Sequence, residues 1–137
     1  PVANAIIALP KAELYDMDRF FYAPYKTDTV LGAVVANGTT EDYDTMYAIL
    51  DAIVERSARL TAAIIAACVI KSGKGTSPSK PVCVLCNGTT FYKTHNLHQR
   101  LRGYLNTVLT EQRHIYFEIV TVDNDITLGT AIAALSQ

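Results

Sequence analysis

Pro81-Val82-Cys83-Val84-Leu85-Cys86-Asn87-Gly88-Thr89-Thr90 is the stretch on which the reading of this chain turns. Five apolar residues in a row, closed by Asn-Gly, predict a short buried strand that ends in a turn. Downstream, Leu97, Leu101, Tyr104, Leu105 and Val108 recur at helical spacing and predict a helix from about Asn96 to Leu109. Ile115 to Val122 reads as a second strand, Asp123-Asn124-Asp125 as a turn, and Ile126 to Leu135 as a last helix rich in small residues. The order strand, helix, strand, helix is a βαβα unit, and a right-handed crossover makes its two strands parallel. Their carboxyl ends then share one edge, where ligands bind in α/β sheets. Gly88, Thr89 and Thr90 sit at that edge, and Gly129, near the start of the last helix, is expected beside them.

Upstream lies the strongest helical signal. Thr39 with Asp42 has capping-box spacing, and Glu41, Asp42 and Asp44 crowd a first turn, where the helix dipole favours acids. Apolar residues then recur from Tyr43 to Cys68, and Gly73 with Gly75 marks the stop. This reading turns Ile53, Leu60 and Ile64 inward and buries the apolar run Ile64–Ile70 on all sides. Residues 1–38 form a poorly defined lead-in. Asp16–Tyr22 reads as a short helix broken by Pro24, and Leu31–Ala36 fits either helix or strand. Two strands alone make a poor sheet, so either residues 1–38 supply a strand or the sheet belongs to a larger protein.

The 137 residues are about one domain's worth, half of them hydrophobic and 18% charged, which excludes a disordered chain. A net charge of −1 gives no overall field for nucleic acid or an anionic membrane. No apolar run reaches the ~18 residues of a membrane span. The start at Pro1, without Met, is read as that of a fragment or a processed product. Three cysteines with no secretion signal point to reduced thiols in the cytoplasm.

Several tempting motifs have plainer readings. Cys83 and Cys86 are three apart on a strand, so they face opposite ways and read as buried thiols rather than metal ligands. His95 and His98 read as surface or capping residues. Glu55, Arg56 and Arg59 read as a solvated helix face, with phosphate binding or pairing with acids on a neighbouring element the sharper alternatives for the arginines. The sequence contains no Gly-x-x-x-x-Gly-Lys-Ser/Thr, no Gly-x-Ser-x-Gly and no Asp-x-Gly-Gly-Thr.

Three stretches, in order, resemble the hexokinase family. Asp51–Ala63, with Val54-Glu55-Arg56-Ser57-Ala58-Arg59-Leu60, is similar to the family's long helix. Pro81–Val84 through Asn87-Gly88-Thr89-Thr90-Phe91-Tyr92-Lys93 resembles its adenosine segment, although Asn87 stands where Asp is usual and one extra residue separates Gly88 from Tyr92. Leu128-Gly129-Thr130-Ala131-Ile132-Ala133-Ala134 resembles its terminal helix. The resemblance covers roughly residues 41–137, with a weaker likeness around Phe20–Pro24, and implies an α/β fold: the second part of the large lobe of an actin-like, ribonuclease-H-type protein, in one domain over 1–137.

The resemblance implies transfer of the γ-phosphoryl of ATP, with Mg²⁺, to the 6-hydroxyl of a hexose. Gly88, Thr89, Thr90, Lys93 and Gly129 would form the adenosine side. The base, most sugar contacts and the first phosphate loop would lie in preceding sequence, so the 137-residue chain alone is expected to be inactive. An oligomer is compatible with the sequence. Asn87 supports a rival reading, a non-catalytic regulatory or binding module on the same fold. A second rival is an unrelated interaction domain.

Overall fold

The computed structural model describes residues 2–9 and 11–120. Three helices open the chain: α1 (Val2–Ile7), α2 (Leu14–Tyr22) and α3 (Val30–Val35). The ambiguous Leu31–Ala36 segment is therefore helical, and the described part of residues 1–38 supplies no strand. Thr29 caps α3, its hydroxyl accepting the Gly32 N–H at 3.1 Å and donating to the Lys26 carbonyl at 2.9 Å. Gly32 permits this close turn, because a Cβ there would sit 2.1 Å from the Lys26 oxygen.

The long helix α4 spans Thr40–Ser72, 33 residues. Its capping box forms as the spacing predicts. Thr39 Oγ1 accepts the Asp42 N–H at 3.3 Å, and Asp42 Oδ2 accepts the Thr39 N–H at 2.8 Å. Gly73 ends the helix in the left-handed region, at φ 64°.

The buried stripe of α4 differs from the expected one. It runs through Met46, Leu50, Val54, Ala58, Ala62, Ala66 and Val69, while Ile53, Leu60 and Ile64 are 49%, 56% and 67% exposed. The run Ile64–Ile70 is buried on one side only, through Ala66 and Val69. The physical reason is size. Alanines at 58, 62 and 66 let a neighbouring helix approach closely, and that helix brings its own leucines into the gap. A reading weighted by side-chain bulk selects nearly the opposite face, since Leu60 and Ile64 each lie two residues, about 200°, from the alanines on either side.

That neighbour is α6 (Leu97–Leu105), continued without a break by a π-helical turn, Asn106–Glu111. Leu101, Leu105 and Leu109 are fully buried. Residues four apart on an α-helix drift by about 40° per step. The π turn winds more slowly and offsets that drift, so Leu109 stays on the face of Leu101 and Leu105. The core is thus in two clusters, both resting on α4. One holds Phe20, Phe21, Leu31, Val35, Met46, Leu50 and Val54; the other holds Ala62, Ala66, Val69, Leu101, Leu105 and Leu109.

Strands β1 (Val82–Leu85) and β2 (Phe117–Val120) pair in parallel, Val82 with Phe117 and Leu85 with Val120. The expected βαβ order and parallel pairing are present; the last helix, Ile126–Leu135, lies outside the described residues. Strand β1 is only half-buried. Val82 and Val84 pack on the second cluster, whereas Leu85 is 52% exposed. Cys83 is exposed and Cys86 half-buried, so the expectation of buried cysteines fails for Cys83. Among the described residues no second layer lies over the outer face of the sheet to cover the odd positions. Burial pushes the Cys86 thiol above its usual pKa.

Between α4 and α6 lies an ionic network. Arg100 bridges the Asp51 carboxylate and Glu55 Oε2, the latter at 3.3 Å. Arg59 Nε donates to Glu55 Oε1 at 2.7 Å and to Tyr104 Oη at 3.1 Å, and the Tyr104 hydroxyl donates to Glu55. Glu55 and Arg59 therefore form part of a helix–helix contact, in place of the purely solvated face expected. Arg56 remains exposed. The Tyr104 and Arg59 hydrogen bonds, with the nearby Arg100 charge, hold the Glu55 carboxyl below its usual value of 4.5. A depressed carboxylate pKa stabilises the fold above the unfolded value, and that contribution is lost as pH falls through the folded one. Melting followed by circular dichroism from about pH 5 to about pH 3 should cost the native chain more than Glu55→Gln. Equal losses would show that the network adds nothing to acid sensitivity.

Candidate functional site

The site starts where the paired strands end. Cys86 N–H donates to the Val120 carbonyl at 3.0 Å, the last rung of the ladder among the described residues. Asn87 then turns the chain, its Oδ1 accepting the Gly88 N–H at 2.7 Å. Gly88 adopts φ 113°, ψ 146°, a conformation open essentially to glycine alone. From it springs a short helix, α5 (Thr89–Lys93). The Tyr92 hydroxyl donates to the Cys86 carbonyl at 3.2 Å and ties α5 to the strand end.

Helix α5 faces the amino-terminal half of α2 across a groove of about 330 Å³. Thr89, Thr90, Lys93 and Thr94 line one wall; Leu14, Tyr15 and Asp18 line the other. The walls are pinned together. Asp18 Oδ1 accepts the backbone N–H of His95 at 2.8 Å, and the His95 ring stacks on Phe21 with centroids 4.7 Å apart. His95 is thus a packing residue between elements, and His98 lies edge-on to Phe91 at 5.1 Å, in place of the surface or capping roles expected. Thr94 is 7% exposed and its hydroxyl has no hydrogen-bond partner among the described residues. An unpaired buried hydroxyl beside a groove is a donor and acceptor open to a ligand.

Of the residues singled out in the sequence, Thr89, Thr90 and Lys93 meet in this groove. Gly88, the N-cap of α5, precedes Thr89 but is not among the lining residues, and Gly129 lies outside the described residues. Leu14, Tyr15 and Asp18 were not singled out, although the Asp16–Tyr22 helix was. They come from about 75 residues upstream, and no local spacing announces that contact. The groove offers hydroxyls, one ammonium, one carboxylate and an aromatic ring. That set suits a hydroxylated, partly flat ligand. Among the described residues no group of three His, Cys, Asp or Glu could hold a metal ion, and no helix is long and apolar enough to cross a membrane.

A family model described as hexokinase matches residues 12–136. No curated protein and no solved structure matches the chain. The family match spans α2 and α5, the two walls of the groove, and the chain belongs to the hexokinase family.

Proposed function

We propose that the groove between α2 and α5 is the adenosine side of an ATP-dependent hexose kinase, on an α/β unit that forms part of an actin-like large lobe. One observation carries the reading: Thr89, Thr90 and Lys93 line a single groove at the carboxyl edge of two parallel strands. In this reading the hydroxyls of Thr89, Thr90 and Thr94 hydrogen-bond the ribose, Leu14 and the Tyr15 ring flank the base, and Lys93 faces phosphate. Gly88 lets the backbone approach the nucleotide, and Gly129 completes the wall. Residues 1–137 act as one unit. Its sheet is completed by strands from outside residues 2–120, since a two-stranded sheet is marginal alone.

A hexokinase combines ATP with Mg²⁺; the described residues hold no group of three His, Cys, Asp or Glu that could ligate a metal ion, and no metal contact is assigned to them. The base, most hexose contacts and the first phosphate loop belong, in this reading, to preceding sequence. The 137-residue chain alone should therefore give no glucose phosphorylation above a heat-killed control in a coupled ATP assay. Adenosine should bind weakly, poorer than millimolar (~4 kcal/mol or less), and shift the amide resonances of Thr89 and Thr90. Turnover by the isolated chain, or adenosine shifts confined to other elements, would overturn the assignment.

A further inference from the structure

Helix α4 is divided in charge at its midpoint. Its acids, Glu41, Asp42, Asp44, Asp51 and Glu55, all precede its cations, Arg56, Arg59 and Lys71. The flanking chain follows the same division: residues 1–55 contain three basic residues against nine acidic ones, and residues 56–110 contain eight Lys or Arg and no Asp or Glu. Opposite the alanine stripe, Ile49, Ile53, Leu60 and Ile64 are all exposed. At 3.6 residues per turn these four fall within an arc of about 60°, and Asp42 and Lys71 fall in the same arc beyond either end. Among the described residues nothing packs over the Ile49–Ile64 stripe.

We propose that a second copy of the chain packs antiparallel along this stripe, about a two-fold axis between Arg56 and Ser57. Ile53 and Leu60 lie equally far on either side of that point, as do Ile49 and Ile64, and Asp42 and Lys71. An antiparallel copy therefore sets Ile53 against Leu60, Ile49 against Ile64, and Asp42 against Lys71, each pair twice. A two-fold interface must be complementary to itself, and the order of residues along α4 meets that condition for apolar contact and for charge at once. A parallel copy would set acids on acids and cations on cations. Arg56 flanks the axis and meets its own counterpart there, and its long side chain carries the charge outward into water. Four apolar side chains from each copy, with end charges screened by salt, make a weak interface. The chain is then a monomer at the low micromolar concentrations of an unfolding measurement and a dimer when concentrated. Association along α4 is independent of what the groove between α2 and α5 binds.

Sedimentation equilibrium of the 137-residue chain tests this. The mass should stand near the monomer's 15.0 kDa at about 5 µM and approach twice that at about 500 µM. Leu60→Glu and Ile64→Glu place a charge in the apolar contact, and each should weaken association by about tenfold or more while leaving the circular dichroism unchanged. Ile7→Glu, at an exposed isoleucine of α1, should leave it as it was. Zero-length carbodiimide coupling of carboxylates to amines, read by mass spectrometry, reports the direction. Within one copy Asp42 and Lys71 lie about 43 Å apart along α4, so an amide joining them connects two copies. Dimers should carry amides between Lys71 and the carboxylates at Glu41, Asp42 or Asp44. A chain still monomeric at about 500 µM would sink the dimer and leave the stripe to another part of a longer protein. Association unchanged in Leu60→Glu and Ile64→Glu, or a dimer without those amides, would also overturn it.

Discussion

Phe20→Ala should destabilise the chain by about 3–5 kcal/mol, the usual cost of emptying a buried aromatic site. The ring is fully buried, stacked on Tyr43 with centroids 6.5 Å apart. It is the largest fully buried side chain of the cluster that joins α2 and α3 to the first half of α4. Its neighbours are anchored on α4, so the void cannot close by moving one side chain. Against a total of about 5–15 kcal/mol for an ordinary domain, such a loss is a large fraction. Urea unfolding followed by circular dichroism measures it. Asp18 lies just before Phe20 on α2, so the variant should also disturb the groove between α2 and α5. A loss below about 1 kcal/mol would mean that α2 does not pack as described.

Leu105→Ala should cost about 2–5 kcal/mol, and Leu60→Ala less than about 0.5 kcal/mol. Both residues are leucines on long helices, and by sequence pattern Leu60 has as good a claim to the core. Burial separates them: Leu105 is fully buried against α4, while Leu60 is 56% exposed. Measuring the two in parallel removes the chemistry of the substitution from the comparison. Similar losses would show that the stripe of α4 is misplaced and that its bulky face is covered. The alanine stripe makes a further point about Leu105. Ala58, Ala62 and Ala66 offer no side chain that can swing into the hole.

Local signals carried the elements well. The capping box at Thr39 and Asp42, the left-handed stop at Gly73, and the strand–helix–strand order from Val82 to Val120 were legible because each depends on residues a few positions apart. What failed depends on partners. Nothing in α4 alone says that its alanines, not its isoleucines, will meet α6. The exposure of Cys83 and Leu85 follows from the absence of a layer over that face among the described residues, which no four-residue strand can announce. The candidate site divides the same way. Thr89 and Thr90 were visible beside a Gly-bearing turn, and Lys93 only through the resemblance to the family's adenosine segment. Tyr15 and Asp18 reach the groove only through tertiary folding, held by the bond from the His95 amide to Asp18.

At 1.5 Å per residue, the 33 residues of α4 make a rod of about 50 Å. Helices α2 and α3 ride on its first half, and α6, which leads in from α5, lies along it further on. The aperture of the groove is therefore coupled to the curvature of a single element. A bend of about 4° at mid-rod would displace a wall some 25 Å away by about 2 Å, roughly the difference between admitting and excluding a water layer. The bond between Asp18 and the His95 amide is the brace against that flexure. Elastically, the described residues form a beam clamped at His95, through its amide on Asp18 and its ring on Phe21, and the width of the groove is a property of how straight the beam is held.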